Sequence, residues 1–351
     1  MLQGRTYVPM LHARLAEIRA LRELPNSTKN KILPIIRIRP WLNSKSLDAV
    51  WNKINDAFPE RSFGLDLDVT RNIAKDHGAY ETFRQLFLPN AGFKNYYDTV
   101  NILDWAIPVL RRSGRDFPEL ENQLEHVVKI GRGLIVRMEP QQSGRLEDLF
   151  SALNDKIPEN LVFAFDCGWG RDILTQAAFC VSQIEKILNI NSEIEIVIGG
   201  SSFPDSFAKQ GERIENSMIE RLLFQEVRRN LNRGQLFYGD WGSTRPPTNP
   251  VPMKNVPRID FPASSSWIAH RSDGELDYES LAENVLADSA WAGGLGIWGE
   301  YMIECTAAGL EPAIKSPAMA AAVRVNLHMH IHANLDDPGG MVVGDEPFDD
   351  I

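Results

Sequence analysis

Charged and hydroxyl side chains recur at the ends of short apolar runs in this chain. Arg37 and Arg39 close ILPIIRIR, Asp66 and Asp68 close FGLDLD, and Arg137 and Glu139 follow GLIV. Asp166 ends LVFAFD, Ser201 and Ser202 follow IEIVIGG, and Asp240 sits in LFYGDW. If the fold gathers these ends, carboxylates could hold a divalent cation or work as acid and base, while arginines grip an anion. The catalytic candidates are therefore Asp66, Glu139, Asp166 and Asp240, and the first ligand-binding candidates are Arg37, Arg137, Ser201 and Ser202. The identity of any cofactor stays unknown at this level, a divalent metal being the one the carboxylates suggest. The plainer reading is a rim of acidic and basic groups that only satisfy one another, and no single motif decides between the two.

Other motifs are weaker. The turn Gly199-Gly200-Ser201-Ser202 could turn backbone N–H groups toward a phosphate, but it lacks a Walker lysine and the spacing of a dinucleotide fingerprint, so a plain strand-to-helix turn is favoured. His328, His330 and His332 form HMHIH. On a helix only His328 and His332 share a face, and with no companion cysteine or carboxylate pattern the expectation is the end of a helix whose dipole favours partly protonated histidines. Trp267, His270 and Arg271 could line a site or merely edge a strand. Cys167, directly after Asp166, has no visible histidine to activate it and reads as a packed thiol.

The elements that must position these residues repeat. Thr6–Met10, Ile32–Ile38, Phe63–Asp68, Trp105–Leu110, Gly133–Met138, Leu161–Asp166, the run from Ile194 and Leu236–Trp241 are apolar along their whole length, as strands buried on both faces are. Helical stripes separate them, at residues 13–22, 41–58, 79–88, around Leu120–Val128, around Leu146–Leu153, 173–188 and 212–231, the last closed by Arg233 and Gly234. The aromatic-rich GFKNYYD at 92–98 reads as a loop. Eight strand-then-helix units predict an α/β fold, a (β/α)8 TIM-like barrel over residues 1–242, with a doubly wound open sheet as runner-up.

Residues 243–257 hold five prolines and read as an extended connector. A C-terminal extension, residues 258–335, should pack on the barrel: one or two edge strands or a hairpin within Arg258–Arg271, helices near 275–291 and 316–332, and the glycine-broken AGGLGIWGEYMIE between them. The acidic 336–351 reads as a flexible tail.

The chain has 351 residues, 43% hydrophobic and 24% charged, and a net charge of −10, with no Lys/Arg block to release counterions from nucleic acid. That argues against direct nucleic-acid binding. Three scattered cysteines exclude a disulfide framework, and no run approaches the roughly 18 apolar residues of a membrane helix. A soluble, cytoplasmic protein is expected.

Several short blocks carry a resemblance. Tyr7-Val8-Pro9-Met10, then Glu17, Ala20 and Leu21, then Ile32-Leu33-Pro34 open the chain; Ser201-Ser202-Phe203-Pro204, Arg213 and Tyr238-Gly239-Asp240-Trp241-Gly242 follow. Trp267 with Arg271, Trp298-Gly299, and Arg324 ahead of the histidines complete the set. Together these resemble the beta protein family, almost end to end. The resemblance adds Trp267, Arg271 and Arg324 to the ligand-binding candidates. It also implies a phage-borne defence locus in which the protein restrains a toxic companion, so the expected partner is a companion protein of such a cassette or a small anionic ligand. Arg37 stands where the family pattern leads one to expect an acid. A barrel enzyme, a metal-assisted hydrolase or phosphodiesterase on the strand-end carboxylates, is the alternative.

Overall fold

A computed structural model describes residues 1–68, 78–113, 116–140, 146–153, 158–207, 211–245, 256–263, 265–272 and 277–344. Residues 246–255 of the proline-rich connector, the stretch 69–77 and the terminal 345–351 lie outside the described residues.

The strands are β1 (Tyr7–His12), β2 (Ile35–Ile38), β3 (Phe63–Leu67), β4 (Ala106–Pro108), β5 (Leu134–Met138), β6 (Leu161–Trp169), β7 (Glu195–Ser201), β8 (Arg213–Ser217), β9 (Gln235–Asp240), β10 (Arg258–Pro262) and β11 (Ser266–Arg271). The helices are α1 (Leu15–Arg22), α2 (Asn26–Lys29), α3 (Asp48–Ala57), α4 (Ala79–Gln85), α5 (Asn90–Ile102) and α6 (Leu120–Ile130). They continue with α7 (Leu146–Leu153), α8 (Ile173–Ile190), α9 (Glu220–Leu231), α10 (Tyr278–Leu286), α11 (Trp298–Ala307) and α12 (Pro317–Asn334).

Eight strands pair in parallel in the order β4-β3-β2-β1-β9-β7-β6-β5. A parallel bridge between Val109 and Ile135 brings the two edges together, and Leu110 N donates to Ile135 O at 2.8 Å. The result is a nearly closed TIM-like barrel jacketed by helices, the architecture expected from the sequence. Alternation does the sorting. Val8, Met10, Ile35, Ile135, Val162, Ala164 and Val197 fill the interior, while Leu11, Ile36, Val136, Phe163 and Ile198 pack outward under the helices. The bore is narrow: a Cβ on Gly239 would lie 2.7 Å from Val8 O, so only glycine fits there.

Caps mark several helix starts. Asp172 accepts from Thr175 N at 3.1 Å ahead of α8, and Ser316 Oγ accepts from Met319 N at 3.2 Å ahead of α12, whose first residue is Pro317.

Four expectations are corrected. Residues 212–231 are not one helix: β8 occupies Arg213–Ser217 and α9 begins at Glu220. Ile214 and Met218 lie four apart, which mimics a helical stripe, but β8 pairs antiparallel with β11 and buries Ile214 against the extension. Asn232, left-handed at φ 52°, ends α9 ahead of Gly234. Within 92–98, Gly92 and Phe93 take left-handed backbone at a kink and the residues from Lys94 on are helical, in α5, with Tyr96, Tyr97 and Val100 on a buried face. Trp298–Ala307 is a third helix of the extension: Gly293, Gly294 and Gly296 precede it, Gly299 lies within it packed against α12, and Trp298, Met302 and Ile303 pack inward.

A second sheet, in the order β10-β11-β8, joins the extension's two strands to β8 of the preceding segment, and α10, α11 and α12 surround a second apolar cluster. Strands β10 and β11 form an antiparallel hairpin, one of the arrangements expected of that segment. Beyond α12, Lys31 Nζ pairs with Asp337 at 2.6 Å and Val343 N donates to Leu295 O at 2.9 Å. No helix among the described residues is long and apolar enough to cross a membrane.

Candidate functional site

The strand register decides which strand-end groups meet. His12, Arg37 and Asp66 are register partners across β1, β2 and β3, so they share the inward face. Arg137 pairs with Ala164, which places Asp166, two residues on, inward as well. Arg37, Asp66, Arg137 and Asp166 form an ionic layer at the C-terminal end of the bore, beside which burial keeps the His12 ring neutral. Arg137 Nε donates to Asp66 Oδ2 at 3.0 Å and its Nη1 to Asp166 Oδ2 at 2.9 Å. Arg111 Nη1 donates to Asp66 Oδ1 at 2.8 Å, and Arg37 Nε lies 3.5 Å from Asp66 Oδ2. Trp241 Nε1 and Gly168 N, each at 3.0 Å, complete Asp166. Glu139 stands at the edge, paired with Arg137 and, at 2.8 Å, with Arg112.

Burial pushes the Asp66 carboxyl up, but the guanidiniums of Arg137, Arg37 and Arg111 outweigh it and hold its pKa well below the usual carboxylate range. Burial lowers Arg137, and the charges of Asp66, Asp166 and Glu139 more than reverse that. For Glu139, too, burial loses to Arg137 and Arg112, and its pKa falls.

Asp240 does not join this layer. Its register partner is Pro9, on the outward face, and it serves a separate network under α12. Asp240 accepts from Tyr7, from Tyr238 OH at 2.6 Å, from Gly242 N at 2.7 Å, and pairs with His328 Nε2 at 2.8 Å. His332 stacks on Tyr238 with ring centroids 5.2 Å apart and receives Arg221 Nε at 3.2 Å. Burial and then the His328 charge keep His332 well below its usual pKa, so the expected partial protonation gives way to a neutral ring. One ligand atom each of Asp240, His328 and His332 lies within 4.8 Å of the others. That is a metal-like set, but four hydrogen bonds already fill the carboxylate's acceptor positions, and Arg221 on His332 Nδ1 leaves Nε2 as the protonated nitrogen, facing Met218 Sδ at 3.2 Å. The geometry is that of a polar seam between barrel and helix.

The serine turn is likewise engaged. Ser202 N and Oγ both donate to Glu220, the hydroxyl at 3.0 Å, and Ser201 Oγ donates to Thr244 O at 2.6 Å. Phe203 N donates to Ser201 Oγ at 3.2 Å, so these N–H groups are satisfied within the protein. Burial, then the Asp240 charge, raise the Glu220 carboxyl to about 7. Cys167 Sγ sits 3.4 Å from Cys180 Sγ; that contact, with burial, pushes its pKa up and keeps it a thiol.

The open space lies above the ionic layer. A cavity of about 710 Å³ is lined by loops following β1, β2, β3, β7 and β9 together with Arg258 and one face of α12. This is the mouth where barrels of this kind carry their ligands. Arg14, Arg39, Arg245, Arg258 and Arg324 line it, with Glu17, Asp68 and Asp205. Trp41, Phe203 and Phe207 supply apolar wall, and Leu15 and Leu42, 64% and 79% exposed, form a lip. Positive charge is in excess, the more so because burial raises the Glu17 carboxyl against the pull of Arg14.

Of the residues expected from sequence to bind a ligand, Arg324 lines this cavity. Arg271 braces its wall by donating to Phe207 O at 2.7 Å, and Trp267 meets Phe203 edge to face at 5.3 Å. Ser201 and Ser202 anchor the start of the same loop, while Arg37 and Arg137 lie in the ionic layer beneath. Arg14, Arg245, Arg258 and Glu17 were missed, because they come from separate loops and helix starts with no spacing that links them. Arg39 was visible only as one more strand-end charge.

The protein beta of Enterobacteria phage P4 is 27% identical over 341 residues, 95% of each chain. A family model, described as Beta protein, matches residues 7–333, so the chain belongs to the Beta protein family.

Proposed function

We propose that this protein is a cytoplasmic binding component of a phage-defence or toxin-restraining cassette, and that its barrel mouth takes a small anionic ligand while the protein engages a companion protein. The observation that carries this reading is the contrast between the mouth, where five arginines line an open cavity, and the strand-end acids, which are consumed by internal bonds. Residues 1–242 form the holding unit in this reading, and the extension 258–335 contributes Arg258 and Arg324 to its wall. A metal-assisted hydrolase on Asp66, Glu139, Asp166 and Asp240 has less support, since Asp240 faces away from the other three and Asp66 and Asp166 are ion-paired and buried.

The test is a thermal-shift screen of the wild type and an Arg39→Ala/Arg245→Ala double variant against phosphate, sulfate, malonate and divalent metals. Ligand that binds only the native state raises the midpoint by mass action. We expect an anion to stabilise the wild type and to do so far less in the double variant; no response to any anion would sink the ligand half of the proposal. The cassette half predicts that a host carrying the flanking genes grows poorly when this gene alone is removed, and equal growth would count against it.

A further inference from the structure

We propose that the mouth cavity is a phosphate-monoester site in which Arg258 and Arg324 form a prearranged receptor for the dianion. The inference rests on the reading that the mouth takes an anion and narrows its chemistry.

Two elements distant in sequence, the start of β10 and the middle of α12, present guanidiniums to the two oxygens of one buried carboxylate. Arg324 Nη1 donates to Asp260 Oδ2 at 2.5 Å, and Arg258 Nε lies 2.5 Å from Asp260 Oδ1. Each guanidinium also rests on a ring, Arg324 at 4.4 Å from the Phe203 centroid and Arg258 at 3.7 Å from that of Phe207. Carboxylate behind and ring beneath fix both forks before any ligand arrives, which lowers the entropy lost on binding.

The donors are not used up. Arg324 Nε reaches Ser243 Oγ at 3.3 Å, but Nη2 has no partner among the described residues, and neither Nη of Arg258 has one. Asp260 balances only one of the two cations, and although Glu17, Asp68 and Asp205 stand against Arg14, Arg39 and Arg245 at the same cavity, burial raises the Glu17 carboxyl, so positive charge stays in excess. A phosphate monoester, with a second pKa near 6, carries close to two negative charges and three acceptor oxygens at neutral pH, which suits two open forks better than a single carboxylate does. The cavity is far larger than the head group, and its apolar wall, Trp41 included, leaves room for an organic remainder.

Isothermal titration of the full chain would use inorganic phosphate, AMP, adenosine, sulfate and malonate as probes, with wild type, Arg258→Gln and Arg324→Gln. Arg258 is the safer variant because its side chain is 28% exposed. We expect AMP and phosphate to bind at one site and adenosine not to bind. Affinity for AMP should rise as pH passes about 6, where the monoester dianion forms, while that for sulfate stays flat. Loss of one charged fork in folded Arg258→Gln should weaken AMP by about tenfold or more. If malonate binds and AMP and phosphate do not, the phosphate class is overturned while the anion reading stands. If no anion binds, both fall. If phosphate binds folded Arg258→Gln and Arg324→Gln as it binds wild type, the site is not the one described.

Discussion

The barrel holds arginines and carboxylates in two adjacent places, the layer sealing the bore and the cavity above it, and they differ in stoichiometry and access. In the lower layer Asp66 and Asp166 are ringed by Arg37, Arg111 and Arg137, all buried, and Trp241 covers Asp166. In the upper cavity two arginines share Asp260 and the lip is open to solvent. Buried charges that are paired stabilise a structure only against the loss of a partner, whereas half-paired charges at a cavity wall keep binding capacity in reserve.

That contrast sets the order of expected effects. Replacing Asp66 by Ala removes the carboxylate that the buried guanidiniums of Arg37, Arg111 and Arg137 share, leaving Arg137 only Asp166 and Glu139. It should cost about 3–5 kcal/mol in urea unfolding, a change under about 1 kcal/mol meaning that the layer relaxes or hydrates. The same carboxyl has a depressed folded pKa, so its contribution is present above about pH 4 and is lost as pH falls below it. Asp240→Asn, which puts an amide where two tyrosines and His328 need an acceptor, should cost about 2–3 kcal/mol by the same measurement.

Glu220 works in the opposite direction. Its folded pKa, about 7, lies above the ordinary 4.5, so the native state binds more protons and stability falls as pH rises between those values. Glu220→Gln should flatten that slope and gain about 2 kcal/mol at pH 8; an unchanged pH profile of the melting midpoint would place the slope on another group. The smallest effect belongs to the cavity. Arg258→Gln should change stability by less than about 1 kcal/mol, because the side chain is partly exposed and Arg324 still covers Asp260, while AMP binding weakens by about tenfold or more.

Much of the framework was legible because barrel strands are buried on both faces and so read as unbroken apolar runs, from Val8 to Tyr238. Strand β8 was not, since Ile214 and Met218 satisfy a helical period until a second sheet claims them. The strand-end charges were visible as residues but not as partners: inward and outward positions alternate, and the separation of Asp240 from Asp166 follows from register, which a single strand does not reveal. The cavity was the least legible part. Arg14 and Arg324 lie at opposite ends of the chain, and only barrel closure with α12 laid across it places both at one mouth.

The seam under α12 bears on how the protein is made. Tyr7 shares Asp240 with His328, Thr6 Oγ1 donates to Ala333 O at 2.6 Å, and Thr28 Oγ1 meets His330 Nδ1 at 2.7 Å. The first strand therefore waits for residues translated some 300 positions later before its outer face is covered. Contacts of such long sequence separation form slowly, and an apolar strand held open meanwhile is a target for chaperones and for aggregation. A ribosome stalled between β11 and α12 would carry a barrel whose eight strands have all emerged and whose opening seam is still bare.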